Sequence, residues 1–465
     1  MGVYFNPDND SFKQAKNSLV YVDKTGLLEI LNKKISTEDK CIALSHARRF
    51  GKSHAAGMID AYYSLGSDST SLFENTKISQ NCDHKRYMNK FNVIHLDIST
   101  FWDSYKDNIV EKIIEYVYRD FEQVFGNELN YQDNFSYMLM RIYQKTNIPF
   151  VIIIDEWDCV IRNGNDEELV HKYLQFLHSI FKSEESKSFL ALAYVTGILP
   201  IKKIKDESAL NNFREYTMLD SYPITEFYGF TEEEVKVLCR KYDMDFETVK
   251  AWYNGYLIDG KHMYNPNSVV IAMDRHRFDS YWKNTSSFET INTFISMNYE
   301  GLKDDIMTML AGGKVYVNTN TFQNDLSTVS SKDEVLTALI HLGYLGYDRD
   351  EESAYVPNYE VKMAYQAALN VGSWREVAKS IAKCDELLRA TINGNRPAMI
   401  VELKYNQSAD TAIRQIKERR YHGTLSGYGD KIFLVGINYD PDSQDKKHHT
   451  CIIEEYGKKR YDSEM

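Results

Sequence analysis

Two stretches carry residues whose types and order could do phosphate chemistry. The first is A-R-R-F-G-K-S at Ala47 to Ser53, between an apolar run, C-I-A-L-S, and the start of a helix, S-H-A-A-G-M-I-D. The second, about a hundred positions on, is F-V-I-I-I-D-E-W-D at Phe150 to Asp158. A strand, a glycine loop and a helix N-terminus bring backbone N–H groups and a positive dipole end to one place, which suits phosphate oxygens. In that setting Lys52 reaches the terminal phosphates and the Ser53 hydroxyl holds magnesium. Five apolar residues followed by D-E read as a central parallel strand whose end carries chemistry. Asp155 then belongs to the magnesium shell, and Glu156 polarises the attacking water.

G-K-[ST] alone is weak, since average composition places one in roughly a quarter of chains of this length. The pattern G-x-x-x-x-G-K-[ST] also wants glycine where this chain has His46. Histidine tolerates left-handed backbone better than a branched residue does, so the expectation is a nucleotide site of unorthodox loop geometry. Arg48 and Arg49 can add positive charge near the phosphates, or equally make a surface contact to a neighbouring helix. Further strands are expected at Asn92 to Ser99, at F-L-A-L-A-Y-V-T-G ending on Gly197, and at Arg214 to Asp220. Thr196, at a strand tip beside the D-E strand, could sense the terminal phosphate or be a plain turn residue.

These elements need a chain able to bury them. The 465 residues are 43% hydrophobic and 26% charged, with 34 Tyr and 22 Phe, so several folded domains are expected. A net charge of −12 argues against indiscriminate nucleic-acid coating, although from Val401 onward 11 basic and 11 acidic side chains balance. No apolar run reaches membrane-spanning length. The N-terminus M-G-V-Y-F-N-P-D-N-D lacks the features of a signal peptide and the Ser or Thr of a myristoylation signal. Six scattered cysteines without a C-x-x-C pair suit a reducing cytoplasm.

In order along the chain, Y-V-D-K-T at Tyr21 to Thr25, A-R-R-F-G-K-S, I-I-D-E-W-D and V-T-G-I-L-P resemble the AAA-ATPase-like domain of a large bacterial family. F-Y-G-F-T-E-E-E-V at Phe227 to Val235, and W-Y-N-G-Y with Y-N-P-N-S-V at Trp252 to Val269, extend the resemblance to about residue 280. In that family the first loop glycine is commonly missing and the two arginines present. The resemblance implies ATP and Mg2+ as ligands, with Arg48, Arg49, Gly51, Lys52, Ser53 and Thr196 around the nucleotide.

Thr231 stands three residues before Glu234, a capping box opening an amphipathic helix. Residues 226–300 are therefore expected as a helical lid, with W-Y-N-G-Y packing in a core around Gly255. Residues 301–365 read as helix, helix and wing. Such folds can enter DNA grooves, but the second helix is apolar and acidic, which favours a protein or interdomain contact.

P-A-M-I-V-E-L-K-Y, the helix S-A-D-T-A-I-R-Q-I-K-E-R-R-Y and K-I-F-L-V-G-I-N-Y resemble the core of PD-(D/E)xK nucleases, the domain that usually follows in this family. That resemblance implies Glu402 as a metal ligand, Lys404 on the water and Gln415 assisting. The chemistry needs another carboxylate. Asp385 lies 17 positions before Glu402, but Trp374, Val377, Ile381, Cys384 and Leu388 recur at helical spacing, which puts Asp385 on a helix. His448, His449 and Cys451 read as a solvated hairpin, because adjacent strand histidines point to opposite faces.

The expected fold is α/β: a P-loop NTPase parallel sheet flanked by helices over 1–225, a helical lid over 226–300, a winged-helix-like connector over 301–365 and a truncated PD-(D/E)xK-like α/β module over 366–465. The expected activity is Mg-dependent ATP hydrolysis, with Glu156 and Lys52 catalytic, coupled to modules that handle DNA or a partner protein. A non-hydrolysing nucleotide-dependent scaffold and an active Mg-dependent nuclease are the competing readings. Assembly into an oligomer stays open.

Overall fold

The computed structural model describes residues 2–126, 129–131, 133–164, 166–201, 210–281, 287–297, 299–322, 329–369, 398–418, 432–440 and 449–456. The chain falls into two compact units, Met1–Ala368 and Leu369–Met465.

The first unit is organised by five strands: β1 (Cys41–Ser45), β2 (Asn92–Asp97), β3 (Phe150–Asp155), β4 (Leu190–Gly197) and β5 (Arg214–Thr217). Their order is β2-β3-β4-β1-β5 and every pair is parallel. Every residue of β1, β3 and β4 is buried, which requires helices on both faces. Alternation along a strand delivers this. Ile152 and Ile154 face one core, with Ile113, Val117 and Phe121 of the helix Ile109–Phe125. Val151 and Ile153 face the other, with Ile59 and Tyr62 of the helix Lys52–Tyr63.

The connection from β1 skips two strands to reach β2, whereas the one from β4 runs back over β1 to β5. The winding direction thus reverses next to β1, and in open parallel sheets the crevice beyond the carboxyl ends at such a point takes ligands. Register levels the ends there: Ser45 pairs with Gly197, and Asp155 with Asp97. The expected strand at Asn92 to Ser99 stops short. Asp97 instead caps the helix Ile98–Tyr105 by accepting from Ser99 N (2.9 Å) and Thr100 N (3.4 Å).

The lid region differs from an all-helical expectation. It contains β6 (Phe230–Thr231), β7 (Tyr256–Ile258) and β8 (Lys261–Tyr264), an antiparallel sheet of order β6-β8-β7. Helices Glu232–Lys241, Phe246–Tyr253 and Pro266–Arg275 pack beside it around Val235, Val249, Tyr253, Tyr264 and Val269. The capping box at Thr231 is formed: Glu234 N donates to Thr231 Oγ1 (3.3 Å), and Thr231 N donates to Glu234 Oε2 (2.9 Å). Tyr253 and Tyr256 are core side chains.

After Gly301 come helices Leu302–Leu310 and Lys332–His341. Three short strands follow the order β10-β11-β9: β9 (Val315–Tyr316), β10 (Gly346–Asp348) and β11 (Ser353–Tyr355). The helix Lys332–His341 is buried from Glu334 onward. A helix enclosed this way presents no face to a nucleic-acid groove. In the second unit β12 (Ala398–Tyr405) runs parallel to β13 (Ile432–Tyr439), and β14 (His449–Glu455) antiparallel to β13. The helix Ala409–Glu418 packs Ile413 and Ile416 onto Ile432 and Leu434.

Replacing Thr231 with Ala removes one half of the capping box. We expect unfolding stability of the first unit to fall by about 1 kcal/mol, read from urea midpoints.

Candidate active site

The loop after β1 departs from the sequence expectation in an informative way. The left-handed residues are Arg49 (φ 69°) and Gly51 (φ 87°), and His46 is not among them. A side chain at Gly51 would meet nothing within 4 Å, so its glycine serves the backbone turn alone. His46 is fully buried, with Nε2 2.5 Å from Ser221 Oγ, and Ser221 Oγ donates to Thr217 O at 2.5 Å. The position of the absent glycine is thus used as an anchor to the chain beyond β5. Burial pushes the His46 pKa down to about 3, with the Lys52 and His341 charges adding to the effect, so the ring is neutral.

Lys52 opens the helix Lys52–Tyr63 and is itself buried, with Nζ 2.8 Å from His46 O and 2.9 Å from Ala47 O. Burial lowers its pKa, while Glu156, Asp155 and Asp158 oppose that shift. The lysine is therefore within electrostatic reach of the β3 carboxylates. Ser53 is exposed on the first turn, where helical N–H groups lack intrahelical acceptors.

At the other lip, β3 and β4 interlock through their ends. Asp155 is 5% exposed, and its Oδ1 accepts from Glu156 N (3.1 Å) and from the Thr196 hydroxyl. Thr196 is fully buried and committed to Asp155. Its hydroxyl is thus engaged by the carboxylate at the end of the neighbouring strand. Asp158 is fully buried, and its Oδ2 accepts from Arg162 Nε (2.9 Å), Ile198 N (3.1 Å) and Leu199 N (2.9 Å). Gly197 leaves no room for a side chain, because a Cβ would lie 2.6 Å from Trp157 Nε1 and 2.8 Å from Asp158 Oδ1. I-I-D-E-W-D and V-T-G-I-L-P are two halves of one contact. Glu156, at φ 54°, pairs with Arg162 at 2.6 Å. Arg162 is a residue that motif reading missed. The signal was its i, i+4 spacing from Asp158.

Both lips border one cleft of about 980 Å³. Its lining includes Arg48, Arg49, Gly51, Lys52, Ser53, Glu156 and Arg162 from the loop and the β3 turn, and the apolar side chains of Val20, Val22, Phe227, Phe230 and Val270. Arg49 donates to Tyr281 O at 3.3 Å. Y-V-D-K-T joins the region around Lys77 to the helix Glu232–Lys241. Asp23 accepts from Thr25 N (2.8 Å) and Lys77 N (2.7 Å), and Lys24 Nζ bridges Glu234 Oε2 and Glu226 O, both at 2.6 Å.

Among the described residues no group of three or more His, Cys, Asp or Glu side chains could hold a metal alone. Ser53 and Asp155 supply hard oxygen donors, the kind magnesium takes together with phosphate oxygens and water, so the residues present fit that ion.

In the second unit Lys404 Nζ lies 3.0 Å from Glu402 Oε1 and also bonds Gln415 Oε1. The three residues implied by the nuclease resemblance do come together. Asp385, the helical stretch Trp374 to Leu388, and His448 lie outside the described residues. His449 and Cys451 are on β14.

The family described as Predicted AAA-ATPase matches residues 9–205. An uncharacterised protein in the vnfD 5′ region of Azotobacter chroococcum mcd 1 is 24% identical over 277 residues, covering 57% of this chain and 51% of that protein. The chain thus spans about half the length of this relative. Among solved structures, the Aeropyrum pernix ORC2 protein in its ADPNP–ADP complexes aligns over 83% of this chain and all of that one, at 10% identity and TM-score 0.35. AMPPCP-bound DnaA from Aquifex aeolicus aligns over 70% and 87%, at 10% identity and TM-score 0.30. The A. pernix ORC1 protein in complex with DNA aligns over 79% and 97%, at 11% identity and TM-score 0.30. These are loose likenesses, and the nucleotides and DNA bound there belong to those proteins.

His46 makes the fold acid-sensitive. Its folded pKa lies below the ordinary histidine value, so the unfolded chain binds the extra proton, and stability is complete above about pH 6.5 and falls as pH drops toward about 3. From pH 7 to pH 5 this one group removes about 2 kcal/mol. His46→Gln should show a correspondingly smaller difference between urea midpoints at the two pH values.

Proposed function

We propose that the first unit binds ATP with magnesium and hydrolyses it, the turnover driving a change in the modules that follow. The observation that supports this most is the meeting of Lys52, Ser53 and Glu156 at one cleft beyond the carboxyl end of a parallel sheet, with Asp155 buried at the end of β3. Match of residues 9–205 to the predicted ATPase family points the same way.

Each residue then has a role. Gly51 and the first turn of the following helix offer N–H groups to the phosphates. Lys52 leaves the carbonyls of His46 and Ala47 for the terminal phosphates, and Arg48 and Arg49 add charge at the rim. Ser53 and Asp155 would hold magnesium, which neutralises phosphate charge when bound. Glu156 takes a proton from the water that attacks the terminal phosphorus, while ADP departs with the bridging oxygen. Thr196 acts through Asp155, whose orientation it fixes. The apolar side chains in the lining suit the base.

The reading keeps the four-part organisation, with boundaries near residues 225, 300 and 365. Within it the buried helix Lys332–His341 relays motion instead of reading DNA, so a partner protein, or DNA held elsewhere, is the object handled. A cytoplasmic setting agrees with the described cysteines, Cys41, Cys82, Cys159, Cys239 and Cys451, all of them free thiols. No described helix is long and apolar enough to cross a membrane.

One observation favours the scaffold alternative: the Glu156 carboxylate is held by Arg162. Phosphate release separates the two. Lys52→Ala and Glu156→Gln should each lower ATP hydrolysis by at least about 100-fold. Equal rates for Glu156→Gln and the unaltered protein would leave only binding. For the second unit we propose a nuclease-like module without activity, since Glu402, Lys404 and Gln415 satisfy one another. Plasmid incubated with Mg2+ or Mn2+ should stay intact, and cleavage lost on Lys404→Ala would reverse that view.

A further inference from the structure

Glu156 does not face the cleft alone. Its Oε2 lies 2.6 Å from the Arg162 guanidinium, with side-chain exposures of 28% and 8%. The same guanidinium is gripped from behind, Nε to Asp158 Oδ2 at 2.9 Å. Asp158 is in turn fixed by the N–H groups of Ile198 and Leu199. Arg162 is thus part of a rigid frame built from the ends of β3 and β4. Should Glu156 turn toward a bound phosphate, the guanidinium cannot follow it.

The chemistry of a general base conflicts with this pairing. A carboxylate that accepts a proton gives up the negative charge that makes its bond to a guanidinium strong. Proton uptake by Glu156 and a full-strength Arg162 pair therefore exclude one another. Glu156 also sits at φ 54°, backbone that a non-glycine residue keeps only where its surroundings hold it there. Those surroundings are Asp155 Oδ1, which accepts from Glu156 N, Cys159 N, which donates to Glu156 O, and Arg162, which holds the carboxylate.

We infer that Arg162 is a positioning residue that holds Glu156 in a resting ion pair and so restrains hydrolysis at this site. The inference rests on Glu156 being the base, as proposed above. The restraint is set by Asp158, and through it by the backbone of Ile198 and Leu199. A movement of that short segment loosens the pair without any change at the phosphate loop.

The test is steady-state phosphate release by the full chain. Arg162→Gln keeps an amide for Asp158 and removes the charge. It should raise kcat about tenfold, the worth of one charged hydrogen bond, with KM for ATP unchanged. Arg162→Lys should return kcat toward the starting value, because it restores the charge facing Glu156. Glu156→Gln combined with Arg162→Gln should fall to the level of Glu156→Gln alone. A merely structural arginine would move KM and the melting temperature along with kcat and would not be rescued by lysine. Should Arg162→Gln lose its melting transition, Arg162→Met fills the same volume and carries the same expectation. A fall in kcat, no change in kcat, or a raised rate surviving in the double variant would each overturn the restraint. Failure of the base assignment looks different, because Glu156→Gln alone would then hydrolyse ATP as fast as the unaltered protein.

Discussion

Everything at the mouth of the cleft depends on one buried carboxylate. Asp158 is fully enclosed, and burying a charge there is costly unless donors face it. Two backbone N–H groups and one guanidinium, from Ile198, Leu199 and Arg162, all converge on its Oδ2, while Oδ1 has no hydrogen-bond partner among the described residues. Those three donors join the turn after β3 to the tail of β4, strands that are already neighbours in the sheet. The contact therefore adds no new topology. It fixes the angle at which the D-E turn leaves the sheet, and with it the positions of Asp155 and Glu156. Gly197 is required at the same point because Trp157 and Asp158 occupy the volume a side chain would need.

The loop between β1 and the helix Lys52–Tyr63 is held differently. Its two left-handed residues, Arg49 and Gly51, bend the chain into the helix. His46 ties the start of the loop to Ser221 across 175 residues of sequence. A glycine there would leave the ring's space empty, in a region where Tyr228 and Phe50 also pack. The departure from the common pattern is thus a substitution of one support for another: side-chain anchorage replaces backbone freedom.

What could be read from the sequence follows a physical line. Local patterns were legible: continuous apolar runs gave β1, β3 and β4, and Thr231 with Glu234 gave a capped helix start. The end of β2 was misjudged by two residues, because Asp97 competes as a helix cap, a choice decided by its side chain and not by hydrophobicity. The hairpin of β7 and β8 was overlooked beside strongly helical neighbours, its strands being only three and four residues long. The roles of His46 and Thr196 depend on partners brought near only by the fold, Ser221 and Asp155, which no local window contains. Arg162 is different, since its partners Asp158 and Glu156 lie four and six residues before it. In the second unit Glu402, Lys404 and Gln415 were placed by a resemblance, and strand-to-helix geometry brings them within bonding distance.

The cleft has walls drawn from stretches scattered between Phe12 and Tyr344. Whatever fills it acts as a non-covalent staple across most of the first unit. By mass action, an occupant present at a hundred times its dissociation constant adds about 2.7 kcal/mol to resistance against unfolding. The abundance of the folded chain in a cell is in that sense a readout of how much of this small molecule surrounds it.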